Sequence, residues 1–326
     1  MKPKRIISVV DTHTAGEPTR IALSGLPNPP GATMKEKQTW LAKNQDQLRR
    51  FLMAEPRGHK DMFGALVTQP ANPEAQVGVV FMDSSGYVDM CGHGTIGLVT
   101  VLLDLGYLAS PEVVLDTPAG LVRARAELSE DGVARVTIRN VPSFLHSLAH
   151  LEVEGLGEVN LAAAYGGNYF ALVDVKPLGL ELNPANLDRL IGLGLKIRQA
   201  ANKSLSLAHP ATGQPGEISL VEFYDESDQP CRNLVVFGAG QFDRSPCGTG
   251  TCAKMAYLHA QGRLKVGQEY RHQSIIGTQF IGRVVGETSL GPKQAIIPEI
   301  TGSAYITGLN QLILDKNDPL GEGFAI

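Results

Sequence analysis

The sequence predicts an α+β fold built from two related halves, and three observations carry that prediction. Strand-like stretches rich in Val, Ile and Phe recur along the whole chain. The segment Thr95–Leu105 is almost wholly apolar but only about eleven residues long, too short for a bilayer and too greasy for a surface helix, so it must be enclosed. The pattern Cys-Gly-x-Gly-Thr occurs twice, at Cys91 and at Cys247, close to half a chain apart.

The elements follow in order. Arg5–Val10, Gln76–Met82, Val113–Leu115, Ala134–Arg139, Ser219–Tyr224, Asn233–Phe237 and Gln294–Ile297 read as strands. Met34–Phe51, with many Lys, Gln and Leu residues, reads as one helix ending before Glu55-Pro56. Pro184–Lys203 has amphipathic spacing, and Cys252–Gln261 stops at Gly262, a usual helix terminator. Many short strands around one apolar helix suggest a sheet wrapped about it. Ser143–Gly157, with His146, His150 and two glycines, looks like a boundary. The expected division is 1–148, carrying Cys91, and 149–326, carrying Cys247, with the last ~20 residues returning to the first lobe.

Composition narrows the function. The chain has 326 residues, which suggests about two domains. Lys plus Arg number 29 against 33 Asp plus Glu, a net charge of −4 without the basic excess of a nucleic-acid binder. No apolar run approaches the roughly 20 residues of a membrane span. The start, MKPKRIISVVDTH, shows no apolar signal-peptide core, so a cytoplasmic address is expected. The four cysteines, Cys91, Cys231, Cys247 and Cys252, are too sparse for a disulfide scaffold and form no CxxC pair, which argues against structural zinc.

Each repeated motif has legible physics. A helix start leaves several N–H groups unpaired, glycines let a ligand approach them, and the helix dipole adds positive potential. The result is a cradle for a carboxylate or phosphate. A cysteine at that point is expected to gain thiolate character. Two such cradles facing one small carboxylate ligand would set a sulfur on either side of it. One sulfur, as thiolate, could take the α-proton while the other, as thiol, delivers one to the opposite face. Two thiolates in one pocket would repel, so one ionised and one protonated sulfur is the expected resting state.

Gly92-His93-Gly94-Thr95-Ile96-Gly97 also fits G-x-G-x-x-G, with Asp116 in place for a ribose. That dinucleotide reading leaves the second Cys-Gly-x-Gly-Thr unexplained, and the motif does not open an initial βαβ unit. Lys254 gives the second copy a passing likeness to a P-loop without the required spacing. A non-enzymatic imino-acid binder would not need a sulfur in each cradle. Cys231, Cys252 and Glu17 read as packing or buried structural residues, and His13 and His59 as satisfying local backbone.

Met90–Gly97 and Asp243-Arg244-Ser245-Pro246-Cys247-Gly248-Thr249-Gly250-Thr251 resemble the two signature motifs of the proline racemase family. The resemblance spans nearly the whole chain, including Asp11–Arg20, Glu55–Gly64 and Ile300–Ile306. It implies two pseudo-symmetric lobes, each a curved, mostly antiparallel sheet or barrel around a central helix, as in diaminopimelate epimerase, with the active site in the cleft between them. It implies racemisation or epimerisation at Cα of proline-type amino acids without pyridoxal phosphate, metal or other cofactor. The resemblance assigns Cys91 and Cys247 as the paired bases, His93 and Asp243 to the substrate's ring nitrogen, and the Gly92, His93, Gly248 and Thr249 backbone to its carboxylate. Dehydratases acting on trans-3-hydroxy-L-proline usually carry threonine at the second cysteine, so Cys247 favours racemase or epimerase. Phe63 and Phe237 are similar to the aromatics of proline-specific members, and an apolar pocket suits an unsubstituted ring, since an unpaired buried hydroxyl costs a few kcal/mol. L-proline/D-proline interconversion is therefore the leading expectation, 4-hydroxyproline 2-epimerisation the second and 3-hydroxyproline dehydration the third. A small-molecule substrate is the expected partner, with no nucleic acid and no membrane. A homodimer is the commonest assembly for such an enzyme.

Overall fold

In the computed structural model, which describes residues 5–227 and 229–324, the chain divides into two compact units. One comprises Met1–Ile138 with Ser303–Ile326, the other Arg139–Gly302. The first unit begins with the hairpin of β1 (Arg5–Thr14) and β2 (Glu17–Ser24). Helices α1 (Met34–Asn44) and α2 (Asp46–Met53) follow, then β3 (Phe63–Thr68), β4 (Val77–Asp83) and β5 (Tyr87–Val88). Next come α3 (Gly92–Asp104), β6 (Glu112–Thr117), β7 (Gly120–Ser129) and β8 (Gly132–Arg139).

The second unit contains β9 (Phe144–Val153), β10 (Gly157–Tyr165), β11 (Tyr169–Asp174) and α4 (Leu187–Ser204). The short pair β12 (Leu207–Ala208) and β13 (Pro215–Gly216) leads to β14 (Leu220–Asp225), β15 (Cys231–Phe237) and β16 (Gln241–Asp243). It ends with α5 (Gly248–Ala260), β17 (Glu269–Ser274), β18 (Gln279–Leu290) and β19 (Lys293–Gly302). The chain then returns to the first unit as β20 (Ala304–Leu314), antiparallel to β1.

The internal repeat is structural as well as sequential. In the first unit the β1–β2, β3–β4 and β4–β5 pairs are antiparallel, and β2–β3 and β4–β6 are parallel. In the second, β10–β11, β14–β15 and β15–β16 are antiparallel, and β11–β14 and β15–β17 are parallel. The order and sense of pairing are thus repeated, with Cys91 and Cys247 each leading out of the strand pair into the central helix.

Each central helix is enclosed by strands of its own unit. α3 is buried from Gly92 through Leu102 and packs against β1, β2, β3, β7 and β20. α5 packs against β9, β10, β11, β18 and β19. Each fully buried Leu, Ile or Val on such a helix contributes about 1.5–3 kcal/mol, which holds the short helices in place. Close approach is built in at Gly97, where a Cβ would lie 2.8 Å from Thr12 Oγ1.

Two expectations change in detail. The single helix over Met34–Phe51 is broken at Gln45 (φ −140°, ψ 22°), because Asp46 opens a new helix and binds Arg49 one turn later at 2.7 Å. The change of unit falls at 138/139 rather than at 148/149. Ser143–Gly157 is no boundary, since β9 runs unbroken through His146 and His150 and pairs with β10 in the second unit. Phe223 is fully buried in that unit's core. Phe223→Ala is expected to destabilise the protein by about 3–5 kcal/mol, read as a lower midpoint in chemical denaturation; an unchanged midpoint would contradict the packing described.

Candidate active site

The first helix tip is built by the chain leaving β5. Cys91 is the N-cap of α3, with an extended backbone (φ −139°, ψ 119°) that turns its side chain back over the first turn. Its Sγ accepts a hydrogen bond from the Gly94 N–H at 3.1 Å, taking the role usually played by a serine or aspartate oxygen. The Cys91 carbonyl accepts from the Thr95 N–H at 3.1 Å and from its hydroxyl at 2.7 Å. His93 Nδ1 lies 3.2 Å from the sulfur, and the ring meets Phe63 edge-on with centroids 4.6 Å apart. Thr14 Oγ1 holds the strand–helix approach by donating to the His93 carbonyl at 2.9 Å. Burial pushes His93 down to about 3, so the imidazole beside Cys91 is neutral at pH 7 and can act as hydrogen-bond donor and acceptor.

The second tip follows β16. Asp243 Oδ1 accepts from the Ser245 N–H at 2.8 Å, and Ser245 Oγ accepts from the Cys247 N–H at 3.1 Å, a turn that tightens the approach to α5. Asn233 Nδ2 fixes the Pro246 carbonyl at 2.7 Å. Cys247 sits at φ 58°, ψ 108°, a left-handed conformation that costs a non-glycine residue about 1–3 kcal/mol and concentrates at functional sites. Thr251 repeats the role of Thr95, donating from its N–H and its hydroxyl to the Cys247 carbonyl, both at 2.8 Å. Thr249 Oγ1 lies 3.8 Å from Cys247 Sγ. Gly92, Gly248 and Thr249 are buried in their first turns.

Electrostatics distinguish the tips. Burial raises Asp243 to about 6 against the hydrogen bonds of Ser245 and Cys247, so it is ionised at neutral pH. The Cys247 thiol is held well above its ordinary value by burial first, then by Asp243 and Glu222, against the Gly250 N–H and Thr249 hydrogen bonds. The helix start therefore does not by itself give Cys247 the thiolate character expected from sequence, because dehydration and two carboxyl groups outweigh it. Glu222 on β14, which sequence reasoning missed, is fully buried and pushed up to about 8, chiefly by burial. His272 Nδ1 is 3.0 Å from Thr251 Oγ1, and His272 Nε2 is 3.6 Å from Glu222 Oε1. Burial pushes His272 down to about 3, so the imidazole beside Glu222 is neutral at pH 7. The signal in the sequence was a glutamate inside the apolar run Leu220–Tyr224.

The remaining expected residues separate cleanly. Phe63 and Phe237 are both buried, at the start of β3 and the end of β15. Glu17 and Cys252 are fully buried and Cys231 nearly so. His13 Nδ1 accepts from the Gly16 N–H at 3.4 Å, and the exposed His59 accepts from the Asp61 N–H at 3.2 Å, both local turns. Asp116 accepts from the Ala71 and Asn72 N–H groups at 2.8 and 2.7 Å, a loop clasp rather than a ribose contact. Lys254 is buried against Glu226 at 2.7 Å, far from a phosphate-binding role. Among the described residues, no helix is long and apolar enough to cross a membrane.

Known proteins show the same organisation. The model of the family described as proline racemase matches residues 9–325. The chain is 44% identical over 334 residues to a proline racemase from Clostridioides difficile, and 41% identical over 333 residues to a 4-hydroxyproline 2-epimerase from Streptosporangium roseum, with both chains covered in full in each case. A crystal structure of a hydroxyproline epimerase from Agrobacterium vitis, with bound trans-4-hydroxy-L-proline, superposes with a TM-score of 0.95 at 36% identity, covering 100% of this chain and 96% of that one.

The buried His93 predicts an acid-dependent stability. Unfolded histidine protonates near 6.5 while the folded imidazole does not until about 3, so the stability present above 6.5 is lost as pH falls toward 3. His93→Gln should flatten that decline in denaturation midpoints measured across the acid range; a slope equal to the parent's would show that His93 is not held neutral.

Proposed function

The chain belongs to the proline racemase family and is an amino-acid racemase or epimerase, and from that premise we propose that it interconverts L- and D-proline with Cys91 and Cys247 as paired bases. The observation that carries the reading is the matched pair of helix starts, each with a sulfur immediately before a Gly-x-Gly-Thr first turn and each reached by the same strand order. In the proposed arrangement both tips address one substrate. One cysteine, as thiolate, takes the Cα proton; the carbanion is protonated on its other face by the other cysteine, as thiol. The sulfurs exchange protonation states, and the reverse turnover or proton exchange with water restores them. No electron leaves the substrate, and the only bonds changed are to hydrogen.

The Cα–H is a very weak acid, so charge developing on the carboxylate must be stabilised. The first-turn N–H groups of Gly92, His93, Gly248 and Thr249 are the donors assigned to that task. Asp243, ionised above about 6, would hold the cationic ring amine by a charge-assisted hydrogen bond, and the neutral His93 would offer it a lone pair. Phe63 and Phe237 would pack against the ring methylenes, which favours proline over its hydroxylated analogues. The 4-hydroxyproline reading remains the second, supported by the close likeness to a structure that holds that ligand.

Deuterium incorporation from solvent at Cα ranks the substrates: exchange into L-proline should exceed that into trans-4-hydroxy-L-proline, and the reverse order would give the protein to the second reading. Cys91→Ser and Cys247→Ser should each lower racemisation by about 10³-fold or more, given that acid–base groups supply about 10²–10⁴; a double variant that racemises at the parent rate would end the two-sulfur mechanism. With Asp243 gaining its charge through about 6, kcat/KM for proline should climb through that pH, and Asp243→Asn should remove the inflection.

A further inference from the structure

The floors beneath the two sulfurs differ. In the first unit a Cβ added at Gly94 would lie 2.9 Å from Phe81 Cε1 and 3.0 Å from Cys91 Sγ. The floor beneath Cys91 is therefore an aromatic ring. In the second unit a Cβ at Gly250, the matching position of the repeat, would overlap Glu222 Oε2 and stand 3.2 Å from Cys247 Sγ. Carboxyl and sulfur crowd the same point. The strand register shows how the exchange arose: Phe81 pairs with Ala65 and Val88, while its counterpart Val235 pairs with Glu222 and Asp243. Where the first unit fills this space with a large residue from β4, the second fills it with a carboxyl from β14.

A fully buried carboxylate is costly unless it is paired, hydrogen-bonded or protonated. The groups facing Glu222 are Asn233 and the Cys231 thiol on β15, Lys254 and the Cys252 thiol on α5, His272 and the Tyr270 phenol on β17, Asp243 on β16 and Cys247. The one cation among them, Lys254, is already committed, 2.7 Å from Glu226 and 2.9 Å from the centre of the Tyr224 ring. His272, its Nε2 3.6 Å from Glu222 Oε1, is held neutral by burial and so offers the carboxylate no counter-charge.

We propose that Glu222 is a positioning residue for Cys247, a carboxyl seated under the first turn of α5 whose charge state sets how readily the Cys247 thiol ionises. The catalytic use of Cys247 rests on the two-sulfur reading above; the effect of Glu222 on the thiol does not. Protonated, Glu222 leaves the sulfur to the Gly250 N–H and the helix start. Ionised, it sets a second negative charge beside Asp243 and opposes thiolate formation. Burial and Asp243 raise Glu222, Lys254 and Asn233 lower it, and the balance at about 8 places the change in charge where a thiol normally ionises.

The test is the rate of carboxamidomethylation of Cys247 by iodoacetamide, followed by peptide mass spectrometry in the Cys91→Ser protein from about pH 6 to about pH 10. With Glu222 present, the rate should climb less steeply above about 8 than for an isolated thiol. Glu222→Gln, which keeps the shape of the neutral acid, should restore the steep climb and react about tenfold faster at the alkaline end, the change produced by one unit of thiol pKa. Superimposable profiles would overturn the proposal. A second measurement needs no variant at Glu222: infrared spectra of the parent should show a protonated carboxyl at neutral pH that is lost through about 8, and a carboxylate ionised throughout would overturn the proposal equally. Loss of the two-sulfur mechanism would appear instead as full racemisation by Cys247→Ser, an outcome independent of the alkylation profiles.

Discussion

The structure turns on the open ends of two buried helices. An N-terminus leaves N–H groups without intrahelical partners, and in a dry interior those groups must find an acceptor. In each unit a cysteine occupies the capping position before a glycine-rich first turn, and an N–H donor of that turn points at its sulfur. A capping serine or aspartate would satisfy the helix better. A sulfur at the cap is the arrangement that also offers a group able to exchange a proton with carbon. The surrounding sheet follows from the same constraint, because helices this short and apolar hold only when strands cover every side.

Duplication supplied two such ends, and divergence made them unequal. Cys91 has a relaxed backbone, a neutral imidazole beside it and an aromatic floor. Cys247 has a strained backbone, an ionised aspartate at its approach and a carboxyl beneath. A racemase or epimerase must treat two faces of one carbon, but it need not do so with identical chemistry. In the proposed mechanism, unequal sulfurs would let one carry a proton while the other does not.

Much of this was legible because it lay in local pattern. The enclosed helix showed itself in Thr95–Leu105, and the duplication in Cys-Gly-x-Gly-Thr. The β-rich character showed in short runs of Val, Ile and Phe, which became β4, β6, β14 and β15. The features that escaped depend on tertiary context. The break at Gln45 comes from an Asp46–Arg49 pair that competes with a longer helix. The run through His146 and His150 has the polar alternation of a half-exposed strand, which resembles a linker until β10 is placed beside it. Glu222 and Lys254 sit in apolar stretches and would be taken for exceptions to the pattern. Their roles emerge only when Gly250, Thr251 and His272 are folded around them. Their burial also overturned the simple expectation for Cys247, since a helix dipole acts within a turn and is overcome by dehydration and nearby charge.

The return of β20 to pair with β1 has a consequence for biosynthesis. β1 leaves the ribosome long before β20 and must wait for it before that edge is covered, whereas every strand of the intervening unit, β9 through β19, is already available to its neighbours. Vectorial folding here runs from the middle outward: the later-made unit can close while the earlier one still exposes an unpaired edge, the condition in which nascent chains are most open to mispairing and most dependent on escort.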